Sequence, residues 1–148
     1  MLRELRKLHP EAEYRFWCDK GFSVQARHLM GGAFGAEVRV DTVVAGKLRR
    51  YHGVSLWAQL RQPLKIVLPN VIDTCKVAAG TVQSFWRLIW WRPDVVFAKG
   101  GFVCLPVGLA AHLLRIPLVI HDSDAHPGLT NRILSRWATA IGTGAPLK

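Results

Sequence analysis

RPDVVFAKGGFVCLPVGLAAHLLRIPLVIHDSDAHPGLTN, residues Arg92 to Asn131, is the stretch that decides the fold. Val95 to Ala98 is a short apolar run fenced by Pro93–Asp94 and Gly100–Gly101. A run of that length between turn residues suits a strand buried on both faces of a parallel sheet. Pro106 then falls in the first turn of a helical segment, where a missing N–H is harmless, and Pro117 breaks that segment. Leu118 to Ile120 is a second apolar strand. It gives way to the polar loop His121-Asp122-Ser123-Asp124-Ala125-His126-Pro127-Gly128, and a further helix opens near Leu129.

Two strand ends, each followed by a special loop, point to a ligand site. In open parallel sheets ligands bind at the carboxyl ends of the strands. Gly100 and Gly101 lack a Cβ and let the backbone approach a ligand, although a tight strand-to-helix turn alone also accounts for the pair. Two such loops from successive parallel strands would face one crevice.

The same residues resemble the acceptor-side domain of the MurG family. The family pattern is roughly PDVV-x-GxGGY-(x)-PxxxAA-xxxxIPxxxHEQN-xxxGxxN. It is met by Pro93-Asp94-Val95-Val96, Gly100-Gly101-Phe102, Pro106, Ala110-Ala111, Ile116-Pro117, His121-Asp122-Ser123-Asp124 and Gly128-Leu129-Thr130-Asn131. The resemblance implies an α/β fold, a Rossmann-like parallel sheet with helices on both faces. That sheet forms the N-terminal half of a two-domain GT-B glycosyltransferase. It implies transfer of N-acetylglucosamine from UDP-N-acetylglucosamine to a polyprenyl-diphosphate-linked muramyl-pentapeptide, by an inverting mechanism. A peripheral position on the cytoplasmic face of the bacterial membrane follows, and neither metal nor cofactor is implied.

By that resemblance the substrate-binding residues are Lys99, Gly100, Gly101, Phe102, His121, Asp122, Ser123, Thr130 and Asn131, together with Asp124, which is also a weak candidate for the catalytic base. Thr130 and Asn131 serve equally as helix caps, Lys99 as a solvated strand-end lysine, and His126 as a turn residue. Phe102 stands where the family has tyrosine, which removes a hydroxyl and keeps a flat apolar wall. Asp122 replaces glutamate and Asp124 replaces asparagine. An ionised aspartate only accepts hydrogen bonds, whereas asparagine also donates.

The rest of the chain carries the cadence of the fold. Leu2, Leu5 and Leu8 form one stripe of a helix, Tyr14 to Cys18 a strand, and Ser23 the cap of a helix to about Met30. Gly31-Gly32 and Gly35 mark a loop, and Glu37 to Val44 alternates as a strand. A helix thus precedes the first strand, as in a doubly wound domain without its central strand. Residues 1–148 are therefore expected to be a partial N-terminal domain, lacking that strand, its GGTGGH-like loop and the donor-binding domain. The alternative is a non-catalytic membrane-docking subunit of a split transferase, paired with a separate donor-binding chain.

Charge narrows the partners. Twenty Lys+Arg against ten Asp+Glu give +10, which favours an anionic partner. No zinc spacing, aromatic RNP stretch or long basic helix is visible, so nucleic acid falls behind phosphate and lipid. From Thr42 to Ile72 no acidic residue occurs, and Leu48, Trp57, Leu60, Leu64 and Ile66 lie among cations. That mixture suits an anionic membrane surface, or a helix with its tryptophan in the core. Asn70 to Trp91 is the longest helical pattern. Its expected inward face is Val71, Cys75, Ala78, Val82, Phe85 and Ile89, with Asn70 as cap, while some of Phe85, Trp86, Trp90 and Trp91 are available to a lipid interface. The cysteines Cys18, Cys75 and Cys104 are dispersed and lack metal spacing, which suits core thiols in a reducing compartment.

Overall fold

Helical stripes and short β-rich runs alternate along the chain, and the computed structural model follows them through residues 2–34, 38–47, 67–123 and 128–144, the residues it describes. Two units are distinguished, Met1–Thr42 and Val43–Lys148.

The first unit holds α1 (Leu2–Leu8), β1 (Arg15–Cys18), α2 (Ser23–Phe34) and β2 (Arg39–Thr42). β1 and β2 pair in parallel, from Arg15 opposite Arg39 to Cys18 opposite Thr42. The Tyr14 hydroxyl ties α1 to the strand by donating to the carbonyls of Leu5 and His9 at 3.1 and 3.2 Å. Ser23 does not cap α2 as expected: its Oγ donates to the Lys20 carbonyl, while Asp19 Oδ1 accepts from the amides of Gly21 and Phe22 at 2.8 and 3.2 Å in the turn that leads into the helix. The helix also runs through Gly31 and Gly32, where a loop was expected. Helical glycine costs only about 1 kcal/mol relative to alanine, too little to stop a helix whose backbone bonds continue.

The second unit holds α3 (Leu68–Trp91), β3 (Val96–Ala98), α4 (Cys104–Leu113), β4 (Leu118–Asp122), α5 (Leu129–Leu134) and β5 (Ala140–Thr143). Its sheet has the order β3-β4-β5, all parallel, with Val96 opposite Leu118 and Ile120 opposite Ile141. Val77, Ala98, Leu105, Leu118, Ile120 and Leu134 make the core between this sheet and its helices. Each large aliphatic side chain there contributes about 1.5–3 kcal/mol by leaving water. Only one face of β3 is buried: Ala98 is covered, whereas Val95 and Phe97 are exposed, so the expectation of a strand buried on both faces is corrected. An apolar run does not reveal how many faces have a covering layer.

α3 and α4 both stop on an arginine in the left-handed region, Arg92 (φ 49) and Arg115 (φ 57), ahead of Pro93 and Pro117. Beyond α4 the Ile116 amide reaches back to the Ala111 carbonyl at 2.9 Å, the long bond of a Schellman ending. The helix has therefore ended before Pro117 is reached.

α3 corrects the expectation most sharply. Its buried positions are Asp73, Val77, Gly80, Ser84 and Leu88. Val71, Cys75 and Val82, expected to face inward, are exposed, and so are Ile72, Trp86 and Trp90. The cause is close approach. A Cβ on Gly80 would overlap the Val44 carbonyl and stand 3.1 Å from Pro106 Cβ, so the chain packs the side of α3 with the least bulk. Val67 occupies the N-cap position in place of Asn70, no side chain caps the helix, and Pro69 sits in its first turn.

Candidate functional site

Parallel pairing of β3 and β4 sends both chains out of the sheet at the same end. Gly100–Gly101 follows β3 there, and Ser123 follows β4, so the two loops share the carboxyl edge. Both glycines have φ 87, a conformation that L side chains rarely adopt. The turn continues into α4: the amides of Cys104 and Leu105 bond the carbonyls of Gly101 and Phe102 at 3.2 and 3.4 Å. Cys104 Sγ closes the turn from within by donating to the Gly100 carbonyl at 2.9 Å. Burial pushes this thiol above its ordinary value, against the opposing effect of backbone hydrogen bonds at Gly100 and Lys99.

Asn131, from the helix that follows β4, lies against the glycine turn that follows β3. It is buried, 7 % exposed, in the first turns of α5, and its amide lies against the diglycine turn. A Cβ on Gly100 would stand 3.3 Å from Asn131 Nδ2 and 3.6 Å from Oδ1. It does not cap its helix, since Gly128 is the N-cap and no side-chain cap bond forms. Among the described residues its Oδ1 has no hydrogen-bond partner, although it is removed from solvent. An unmet buried acceptor is expensive, and a ligand hydroxyl or N–H would satisfy it.

The polar loop is less convergent than its spelling suggests. β4 alternates, so Asp122 is buried on the helix-covered face with Leu118 and Ile120, while His121 lies half-buried on the other. His121 stands beside Phe97, ring centres 6.5 Å apart, and its Nδ1 is 3.3 Å from Ser123 Oγ. The Asp122 carbonyl accepts from the Gly144 amide at 2.9 Å, tying β5 to the loop. Lys99 is exposed at the end of β3, and Phe102 and Thr130 are half-buried. Asp124 and His126 fall outside the described residues, as do Leu48, Trp57, Leu60, Leu64 and Ile66 of the basic segment. Among the described residues no three of His, Cys, Asp or Glu gather as a metal group would require.

One cation at this edge escaped the sequence reading. Lys47 Nζ lies 5.3 Å from the centre of the Phe102 ring. Its position in a basic run disguised it as surface charge, and only the packing of Gly46 and Gly80 could have disclosed where the loop goes. A separate surface pocket, lined by His112, Leu113, Arg115, Ile116, Pro117, Trp137 and Thr139, lies at the amino ends of β4 and β5. Stacked rings of His112 and Trp137, 4.7 Å apart, form one wall. It is remote from the glycine turn and gathers no comparable set of phosphate-binding groups.

Comparison with known proteins places this geometry. The glycosyltransferase family 28 N-terminal domain matches residues 33–143. The chain is 41% identical over 107 residues to the UDP-N-acetylglucosamine--N-acetylmuramyl-(pentapeptide) pyrophosphoryl-undecaprenol N-acetylglucosamine transferase of Streptococcus mutans serotype c, covering 72% of this chain and 26% of that protein. With the Treponema pallidum (strain Nichols) protein of the same name it shares 43% over 104 residues, 70% of this chain and 23% of that one. It thus spans about a quarter of the length of the curated relatives it matches. The crystal structure of Acinetobacter baumannii MurG superposes with a TM-score of 0.69 at 22% identity, over 97% of this chain and 36% of that one, and supports the fold. Sequence and fold agree, and the chain belongs to glycosyltransferase family 28.

Proposed function

We propose that the chain is the acceptor-side domain of an inverting N-acetylglucosaminyltransferase acting on a lipid-linked muramyl-peptide. The relatives' name supplies the reaction: UDP-N-acetylglucosamine is the donor, and the acceptor hangs from a polyprenyl diphosphate. The observation that carries the reading is Asn131, buried against Gly100 at the carboxyl end of β3, its Oδ1 without a partner among the described residues. The glycine turn offers backbone N–H groups to the acceptor's diphosphate at the start of α4. Asn131, His121 and Ser123 offer hydrogen bonds to the sugar. In the reaction the acceptor hydroxyl oxygen bonds to the anomeric carbon as the bond to UDP breaks, and the hydroxyl proton passes to a base. No described residue is assigned that last role, and Asp124 stays its candidate.

The donor site is assigned in this reading to a second, donor-binding domain. The exposed face of α3 supports membrane attachment: Val71, Ile72, Val82, Trp86 and Trp90 form a stripe, with Leu113 exposed on α4. No helix among the described residues is long and apolar enough to cross a membrane. Surface attachment through aromatic and aliphatic groups beside cations fits this pattern.

The test is reconstitution. The chain, fused to the upstream strand and the donor domain of a relative, is assayed for transfer of labelled N-acetylglucosamine to the lipid-linked acceptor. Transfer that is lost with Asn131→Leu supports the reading. A folded chimera that binds UDP-N-acetylglucosamine but neither binds nor glycosylates the acceptor overturns it.

A further inference from the structure

The loop after β2 is fastened to α3 at three places. The Val44 amide donates to Gln83 Oε1 at 3.0 Å, the Val44 carbonyl fits into the space left by Gly80, and Gly46 lies on the backbone of Asp73, where a Cβ would overlap it. These anchors deliver Lys47 to the glycine turn, with its ammonium 5.3 Å from the Phe102 ring centre. Phe102 directly follows Gly100 and Gly101 and precedes α4. Among the described residues the ion pairs join Lys7 to Glu4, Arg15 to Glu13, Arg39 to Asp41 and Lys76 to Asp73, and none engages Lys47.

We propose that Lys47 is a diphosphate-binding residue of this site, resting on Phe102 until the polyprenyl diphosphate of the acceptor arrives. The inference rests on the acceptor-site reading above and adds a residue to it. An exposed cation–π contact is weaker than a charge-assisted hydrogen bond to phosphate, so the ring holds the ammonium close without competing with the ligand. Two features of the turn supply the rest of the cradle. The amides of Gly101, Phe102 and Val103 precede the bonds that α4 makes for itself. The unsatisfied Asn131 Oδ1 lies beside Gly100 of the same turn and marks where the uncharged part of a ligand continues. Phe102 then has a role that its missing hydroxyl does not impair, because a flat ring is all the ammonium requires.

Titrations of geranyl diphosphate and of UDP into the full chain, followed by tryptophan fluorescence at low salt, test this for the wild type, Lys47→Met and Lys47→Arg. Thermal melting controls for folding. Lys47→Met is expected to bind geranyl diphosphate about tenfold more weakly, or worse, with Lys47→Arg recovering most of the loss and UDP, whose site the proposed function assigns to another domain, binding none of the three. Wild-type binding of geranyl diphosphate that Lys47→Met leaves intact overturns the role of Lys47 and spares the acceptor-site reading. Failure of the wild type to bind geranyl diphosphate overturns both. Equal weakening of UDP and geranyl diphosphate overturns the lipid-carrier assignment and reduces Lys47 to general attraction of anions.

Discussion

The amide of Asn131 packs against Gly100 so closely that a Cβ there would stand 3.3 Å from Nδ2, whereas a Cβ on Gly101 would meet nothing within 4 Å. Both glycines have φ 87. Alanine at either position bears the backbone strain, about 1–3 kcal/mol, but only Gly100→Ala also displaces Asn131. Gly100→Ala is therefore expected to lower the urea midpoint more than Gly101→Ala and to weaken acceptor binding further. Equal effects in denaturation and binding would remove Asn131 from the site.

Glycine-to-alanine substitutions in helices should change sign with position. Gly31→Ala and Gly32→Ala in α2 meet no atom within 4 Å and should stabilise by about 0.5–1 kcal/mol each. Gly80→Ala in α3 drives a Cβ into the Val44 carbonyl and should destabilise by about 2 kcal/mol or more, despite the better helix propensity. Ser84, one turn on, is fully buried, and its Oγ has no partner among the described residues. Ser84→Ala should stabilise by about 1 kcal/mol. Chemical denaturation of the four variants checks the set.

The outward face of α3 should matter for lipid and little for folding. Trp90 is 85% exposed and Trp86 58%. The double substitution Trp86→Glu with Trp90→Glu is expected to change stability by less than about 1 kcal/mol while abolishing sedimentation with vesicles containing anionic lipid. Val77→Glu, on the buried face, should unfold the unit instead. Vesicle binding that survives the tryptophan changes would move the membrane surface elsewhere.

Alkaline pH should loosen the glycine turn. The Cys104 thiol is held above its ordinary value of 9.0, first by burial, and Cys18 is raised in the same direction by burial and then Asp19. In the unfolded chain these thiols ionise at the ordinary value, while the folded chain retains the protons. Their contribution is thus fully present below pH 9.0 and lost as pH rises towards the folded-state values. Urea midpoints should fall between about pH 8 and pH 10, and Cys104→Ser, which keeps a donor to the Gly100 carbonyl, should flatten that slope. An unchanged slope in Cys104→Ser would show that the thiol is not buried as described.

The order of strands and helices was legible because each rests on local signals: turn residues around Val96–Ala98, Pro106 in a first turn, and the apolar run at Leu118. The shared edge of the two loops followed as well, since parallel strands joined by a helix must end together. The inward face of α3 was not legible. Periodicity marks an apolar stripe, yet the packed side was chosen by Gly80 and Ser84, whose value is the absence of bulk against Val44 and Pro106. Lys47 was hidden for the same reason. Its neighbours in sequence are basic, and its neighbour in space, Phe102, lies far along the chain. Asn131 carried a motif match but looked like a cap, and only its position against Gly100 separates the two roles.

Amide hydrogen exchange of the full chain with and without a water-soluble prenyl-diphosphate muramyl-peptide tests the central claim most directly. The account predicts slowed exchange confined to residues 100–104, 121–123 and 130–131, at the carboxyl edge of β3 and β4. Protection instead around His112, Arg115 and Trp137, at the amino ends of β4 and β5, would contradict it.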